Sequence, residues 1–283
     1  MLEPPFKHSF FCSEILKNNY IRYNLCMKIK KLVKEYFSNA SLFPLVVFLI
    51  IWFATFIALI NTIVINDLVK VGLALSALIL YFVPFFVAVK FKIKLPGILE
   101  VVYYLFIFAA LVLGEVFAFY GPFPFWDIIL HLLSGFVLAG IGFSLFNIVS
   151  KGKQPALLVL LFAFCFSITL GVAWECLEFS FDITVRTDAQ KDAHLTNIST
   201  ITLQRDGGNQ PVRLNDIEKS ELYLANGEIV TIEEGHLDIG LMDTMKDLFV
   251  NTGGAVVFCI LGIFYCKDSR KYGFVDKLIP KKI

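Results

Sequence analysis

Three short polar patterns in the C-terminal half of the chain carry the residue types most able to do chemistry. Each pattern repeats every three or four residues, a spacing that places side chains on one face of a helix. The three patterns are Asp127 with His131, Glu175 with Glu178, and Asp243 with Asp247 and Asn251. One imidazole among several carboxylates suits a divalent ion such as Mg, Mn or Zn. It also suits general acid–base work by coupled carboxylates, so both interpretations stay open.

Each polar residue has a predicted role. The predicted metal ligands are Asp127, His131, Glu175, Glu178, Asp243 and Asp247. If the protein is an enzyme, Glu175 or Asp247 is the predicted base. Asn251 and Glu115 are predicted as further polar residues of the site, Glu115 with a structural hydrogen bond as its simpler alternative. The sequence has no HExxH, no glycine-rich phosphate loop and no GxSxG. It therefore leaves open whether the protein is an enzyme.

Simpler structural roles compete with the chemical ones. Asp127 and Asp243 stand at predicted helix N-termini, where a carboxylate can cap free N–H groups. Glu178 can lie at the water surface, and Asn251 can bond neighbouring helices to each other. The pair Gly253–Gly254 is typical of close helix approach. His131, Glu175 and Asp247 lie inside apolar stretches, so a chemical role is favoured for them.

The composition is that of a membrane protein. Of 283 residues 57% are hydrophobic and 17% charged, with a mean hydropathy of +0.73, whereas soluble domains are about a quarter charged. Six apolar runs each approach the roughly 20 residues that a spanning helix needs. They cover residues 42–65, 70–90, 97–120, 128–149, 155–178 and 247–266. The predicted fold is an all-α polytopic membrane protein with about six transmembrane helices and a small β-rich insert between helices 5 and 6. Pro84 is expected to kink the second helix.

Clusters of basic residues flank these helices at alternate ends. They cluster before the first helix, between the second and third, between the fourth and fifth, and after the sixth. The positive-inside rule then places both termini in the cytoplasm of a plasma-membrane protein. The predicted parts are an N-terminal tail (1–41), helices one to five (42–181), an extracytoplasmic lobe (182–240), the sixth helix (241–266) and a basic tail (267–283). Met27 and the lysines after it resemble a natural start, so residues 1–26 are predicted to be a tail or an upstream extension.

The insert over residues 182–240 is acidic and strand-like. It carries eleven Asp/Glu against five Lys/Arg. Residues 195–203 are rich in β-branched side chains and predict a strand. Residues 221–224 and 228–232 flank Asn226-Gly227, a strong hairpin signal. None of the six cysteines falls in this insert, so no disulfide framework is predicted there.

The three polar patterns together resemble two groups of bacterial membrane proteins. The order Asp127-x-x-x-His131, Glu175-x-x-Glu178 and Asp243-x-x-x-Asp247 resembles the uncharacterised YjdF-like inner-membrane family. A more distant similarity links the chain to the VanZ-like group, named for a teicoplanin-resistance protein, where Glu178 stands in place of the usual Gln. The resemblance covers about residues 124–265. It implies a site built by the last three helices and no defined reaction.

The leading hypothesis is a membrane protein whose polar site, with a divalent ion, opens to the outer face. The VanZ-like resemblance implies action on envelope lipids or cell-wall precursors. A membrane hydrolase or transferase and a scaffold whose outer lobe binds a partner are the alternatives. A proton-coupled carrier ranks lower, because no acids line the inner helix ends. The predicted partners are the lipid bilayer and a lipid-linked substrate or an envelope protein, the last bound through residues 182–240; nucleic acid is not expected.

Overall fold

The computed structural model describes residues 42–150, 154–205 and 207–282. Within these ranges the protein is mostly helical, with six spans long and apolar enough to cross a membrane. The prediction of a six-helix membrane protein is confirmed. The predicted N-terminal tail, including the start at Met27, lies outside the described residues.

The chain divides into two compact units. The first holds the described residues up to Pro122 together with those from Asp276 onward. Its elements are α1 (Leu42–Val64), α2 (Leu68–Leu80), α3 (Val83–Phe91), β1 (Ile93–Lys94), α4 (Gly97–Ile107), a π-helical segment (Phe108–Val116) and β8 (Lys281–Lys282). β1 and β8 pair antiparallel, with Ile93 opposite Lys282. The basic segment between the second and third spans is thereby joined to the basic C-terminal segment.

The second span is broken at the predicted proline. α2 ends at Leu80 and α3 begins at Val83, with Pro84 in its first turn. Because proline has no N–H, the carbonyl of Leu80 loses the donor that a continuous helix would place four residues later. The Tyr103 hydroxyl donates to this carbonyl at 2.8 Å. The predicted kink is therefore a helix break whose free carbonyl is satisfied by a neighbouring helix, as membrane proteins require.

The second unit, Phe123–Val275, contains the three helices that carry the polar patterns. They are α5 (Trp126–Val149), α6 (Ala156–Val185) and α7 (Leu241–Lys267), and they pack against one another. A short 3-10 helix (Gly273–Lys277) follows α7 and ends in the first unit. α6 is two turns longer than its predicted apolar run, so Glu178 lies within the helix.

α5 and α7 approach each other through glycine. A Cβ atom on Gly254 would lie 2.8 Å from the backbone nitrogen of Phe136 and closer still to the carbonyl oxygen of Leu132. Gly135 meets the backbone of Asn251 in the same way. Gly253 is different, because its Cβ would meet only the Leu132 side chain at 3.8 Å. Of the two adjacent glycines, Gly254 alone permits the close crossing.

The described residues of the lobe between α6 and α7 form three two-stranded antiparallel pairs. They are β2 (His194–Leu195) with β7 (His236–Leu237), β3 (Ile198–Thr200) with β4 (Val212–Leu214), and β5 (Ser220–Tyr223) with β6 (Ile229–Ile232). The predicted Asn-Gly hairpin is present as β5–β6. The single strand predicted over residues 195–203 is wrong. Leu195 pairs with β7 and Ile198 with β4, so the change of partner divides the segment, and residues beyond Thr200 enter a turn.

Candidate functional site

His131 lies at the centre of the polar side chains in the second unit. Its Nε2 atom is 3.5 Å from Asp127 Oδ1, one turn earlier in α5, and 3.6 Å from Asp247 Oδ2 on α7. Its Nδ1 atom is 4.0 Å from Glu175 Oε1 on α6. Helices that are separate in sequence thus contribute one carboxylate each around a single imidazole.

Asp247 is the most deeply buried member of this group. Its side chain is 3% exposed, against 14% for His131 and 20% for Asp127. Within the described part of the chain, its Oδ1 atom is buried and has no hydrogen-bond partner. Burying an ionised carboxylate is costly unless a donor, proton or cation compensates it. Asp247 therefore offers an oxygen that can take another ligand.

Three of these side chains lie close enough together to hold a metal ion. The ligand atoms of Asp127, His131 and Asp247 all lie within 4.8 Å of one another. One nitrogen and two carboxylate oxygens at that spacing can converge on a cation after small rotations of the side chains. Three protein ligands leave a coordination position for water or substrate, as in catalytic zinc sites.

Lys246 brings the opposite charge to the edge of this group. Its Nζ atom lies 3.7 Å from Asp243 Oδ1 and 4.0 Å from Asp127 Oδ2. The lysine side chain is 44% exposed, so it can leave the carboxylates without unfolding α7. The other oxygen of Asp243 accepts the backbone N–H of Lys191 at 3.1 Å. Asp243 thus links the lobe to α7.

Glu175 is buried, and polar side chains surround it. It is 5% exposed, and the side chains of Thr244 and Gln190 both lie against its carboxylate. Gln190 Nε2 in turn donates to Thr244 Oγ1. Glu178 is half-buried one turn further along α6, in the electrostatic field of Glu175 and Asp127.

A second polar layer lies one turn deeper along α5 and α7. Asn251 Oδ1 accepts from Ser134 Oγ at 3.2 Å, and Asn251 Nδ2 lies 3.5 Å from the Ser167 carbonyl oxygen. Ser167 Oγ donates to the carbonyl of Gly135 at 2.9 Å. These bonds join α5, α6 and α7 directly below the His131 group. Asn251 accordingly has the structural contacts expected of an interhelical hydrogen-bonding residue.

Asp127 and Asp243 lie in the first turns of α5 and α7, where a carboxylate suits the helix dipole, but neither is the residue that precedes its helix. α5 follows Phe125, which makes no side-chain cap bond, and Asp127 lies within the first turn of the helix. α7 begins after Gly240, and its Met242 N–H is accepted at 2.6 Å by Asp238. Asp238 therefore caps α7, and Asp243 is left to contact Lys246 and the lobe.

The predicted site residues fall into three groups by position. Asp127, His131, Glu175 and Asp247 converge within the second unit, with Asp243 and Glu178 around them. Asn251 lies in the layer below. Glu115 belongs to the first unit, where it is exposed on the π-helical segment. Their individual metal and catalytic roles stay predictions.

Several residues around this group were not singled out from the sequence. Lys246 stands between two of the predicted acids and could have been found as a partner three residues from Asp243. Gln190 lies in the loop after α6 and Thr244 lies on α7, so no spacing in the sequence connects them. Ser167 resembles an ordinary small residue of an apolar helix.

Comparison with known proteins places the chain in a family. Residues 43–268 match the model described as "Predicted membrane protein (DUF2238)", and the chain belongs to that family. No curated protein matches it, and neither does any solved structure. The family description agrees with the helical fold and names no reaction. Membership in the YjdF-like group and similarity to VanZ-like proteins stay predictions.

Proposed function

We propose that this member of the family is a multi-pass membrane protein that holds a divalent cation on Asp127, His131 and Asp247. The observation that carries the proposal is Asp247 itself. It is a buried carboxylate whose Oδ1 has no hydrogen-bond partner among the described residues, and it faces an imidazole and a second carboxylate. A cation would satisfy this oxygen and offset the repulsion between the carboxylates.

The donor set points to a borderline ion. Imidazole favours Zn and its neighbours, whereas carboxylates also suit Mn and Mg. One nitrogen with two oxygens therefore fits Zn²⁺ or Mn²⁺ better than Ca²⁺, which takes six to eight oxygens. Glu178 and Asp243 are available as further ligands or as groups that hold water near the ion.

The proposed side of the membrane is the outer one. The Lys-rich flanks support a cytoplasmic location of both termini, and α5 and α7 would then begin at the extracytoplasmic face. Residues 182–240 form an extracytoplasmic lobe next to the site. A cation with an open coordination position at that level suits a lipid headgroup or a lipid-linked cell-wall precursor, in keeping with the VanZ-like resemblance.

Hydrolysis or group transfer is the second candidate function. It is favoured by the three-ligand arrangement, because a metal-bound water at the open position would be an activated nucleophile. Glu175 or Asp247 as general base stays a prediction within this hypothesis. Turnover of a lipid-linked substrate that persists in Glu175→Gln would remove Glu175 from that role.

Direct measurement of the cation tests the main proposal. The full chain is purified in lipid nanodiscs, its metal content is determined, and Zn²⁺ and Mn²⁺ are titrated by calorimetry. His131→Gln and Asp247→Asn should lower affinity by more than the roughly 10–100-fold typical of outer-shell changes. His194→Gln and Asp216→Asn are matched controls in the lobe and should bind like the wild type.

Two results would overturn the cation proposal. One is wild-type protein that neither carries nor takes up a stoichiometric divalent ion. The other is unchanged affinity in both His131→Gln and Asp247→Asn. Weakened binding in the two lobe controls would also count against it, because the site would then lie elsewhere.

A further inference from the structure

We infer that Glu175, Thr244 and Gln190 form a hydrogen-bonded chain that presents Nε2 of His131 to the cation. The inference rests on the proposed function, since it concerns how the same site binds its ion. It assigns Glu175 a positioning role beside the ligands and brings two residues into the site that the sequence did not indicate. One of them, Gln190, belongs to the segment that leads into the lobe.

The two nitrogens of His131 face different surroundings. Nε2 lies between Asp127 and Asp247, at 3.5 and 3.6 Å, whereas Nδ1 faces Glu175 at 4.0 Å. A neutral imidazole carries one N–H, and its other nitrogen has the lone pair that a metal needs. If Nδ1 holds the hydrogen and directs it at Glu175, Nε2 is left as the ligand. This is the carboxylate–histidine–metal arrangement that fixes ring orientation in metal sites.

Glu175 can play this part because it is itself held in place. Gln190 Nε2 donates to Thr244 Oγ1, so the single hydroxyl hydrogen of Thr244 is free to be donated elsewhere. The Glu175 carboxylate lies against both Thr244 and Gln190, so it can accept that hydrogen. The donors can therefore run from Gln190 to Thr244 to Glu175, and His131 Nδ1 lies 4.0 Å from the same carboxylate.

The first member of the hydrogen-bonded chain, Gln190, is held in place by α6. Asp182 accepts the backbone N–H groups of Ala189 at 2.7 Å and Gln190 at 2.9 Å. The next residue, Lys191, donates its backbone N–H to Asp243 on α7. The segment that opens the lobe is thus bonded to both helices, and it holds the Gln190 side chain over Thr244. This segment at the start of the lobe is therefore a structural part of the site.

The first experiment compares two threonines of α7. Thr244→Val removes the hydroxyl from the chain at nearly constant volume. Thr252→Val is the matched control, because the Thr252 hydroxyl donates to Leu248 O within its own helix. In nanodisc-embedded full-length protein, Zn²⁺ affinity should fall about tenfold in Thr244→Val and Glu175→Gln. It should stay at the wild-type value in Thr252→Val and return in Thr244→Ser.

The second experiment reads the imidazole in Zn²⁺-loaded protein, because without an ion the carboxylates 3.5 and 3.6 Å from Nε2 would themselves attract a hydrogen to that nitrogen. Nitrogen NMR of ¹⁵N-histidine-labelled chain should show His131 with its hydrogen on Nδ1 in the wild type. In Glu175→Gln and Thr244→Val it should show a mixture of tautomers. A loss of stability alone would not change the tautomer, so this readout separates positioning from folding.

The outcomes distinguish the inference from the proposed function. If wild-type protein binds no cation, the proposed function fails and the inference fails with it; if a cation binds but His131 holds it through Nδ1, only the inference fails. The inference is overturned if His131 carries its hydrogen on Nε2 in the wild type. It is also overturned if Thr244→Val and Thr252→Val affect cation affinity equally.

Discussion

Replacing Gly254 by alanine should separate α5 from α7. The added Cβ would lie 2.8 Å from Phe136 N and 3.0 Å from the carbonyl carbon of Leu132, whereas ordinary contact begins at 3.4 Å. The Leu132 carbonyl oxygen is nearer still, so the two helices must move apart by more than about 0.6 Å. Both obstructing groups are backbone, so no side chain can rotate out of the way. Overpacking of this kind costs about 1–3 kcal/mol, and we expect the upper end.

The same displacement reaches the polar group two turns away. His131 and Asp247 lie on the two helices that are forced apart, and their Nε2–Oδ2 distance of 3.6 Å should lengthen. The measurement is thermal unfolding of purified protein by fluorescence-detected size exclusion, with a parallel Zn²⁺ titration. The expected midpoint falls by roughly 5–10 °C, and Zn²⁺ affinity falls with it.

Gly253→Ala is the control for this substitution, since it changes the adjacent residue of the same helix. Its Cβ would meet only Leu132 Cδ1 at 3.8 Å, an ordinary contact. It should unfold at the wild-type temperature or slightly above, because alanine favours a helix more than glycine does. Equal losses in Gly253→Ala and Gly254→Ala would refute the crossing geometry, and so would wild-type stability in Gly254→Ala.

Three further changes test other parts of the structure. Asn251→Leu should lower the unfolding midpoint, because two interhelical contacts of about 0.6 kcal/mol each are lost. Asn147→Leu is its control and should have a smaller effect in the same assay, because it loses only a bond within its own helix. Tyr103→Phe should cost about 1 kcal/mol in denaturant unfolding, because the Leu80 carbonyl loses its donor. Burial acts to raise the pKa of Asp238, but the backbone N–H groups it accepts outweigh burial and lower that pKa. Its contribution to lobe stability should therefore be complete above its ordinary value of 3.8 and be lost as the pH falls through the lowered value, measured as hydrogen-exchange protection at the start of α7.

The sequence predicted those features that depend on local pattern. Apolar runs of about 20 residues identify the six spans, and Asn226-Gly227 identifies the β5–β6 hairpin. The meeting of Asp127, His131 and Asp247 was also expected, because helical spacing puts each polar pattern on one face and the Lys-rich flanks put the patterns at the same membrane depth. The spans and the hairpin are set by neighbours a few residues away, which a sequence displays directly.

Features that depend on distant partners were not predicted. The end of α6 at Val185 lies beyond its apolar run, because Asp182 is satisfied by backbone N–H groups of the following loop. The division of the strand at 195–203 follows from a change of pairing partner. The part played by Gln190 depends on a helix that begins some 50 residues later, and the difference between Gly253 and Gly254 appears only when α5 is in place.

The short β1–β8 pair restricts how the chain can be threaded through a bilayer. Backbone hydrogen bonds join Ile93–Lys94 to Lys281–Lys282, so both strands must lie at the same face. Four spans separate them in sequence, and only an even number of crossings returns the chain to its starting side. If one of those four helices failed to cross, the strands would be separated by the hydrocarbon layer and could not pair. β1 and β8 can therefore pair only if the intervening helices cross the bilayer an even number of times, and only after α7 has been inserted.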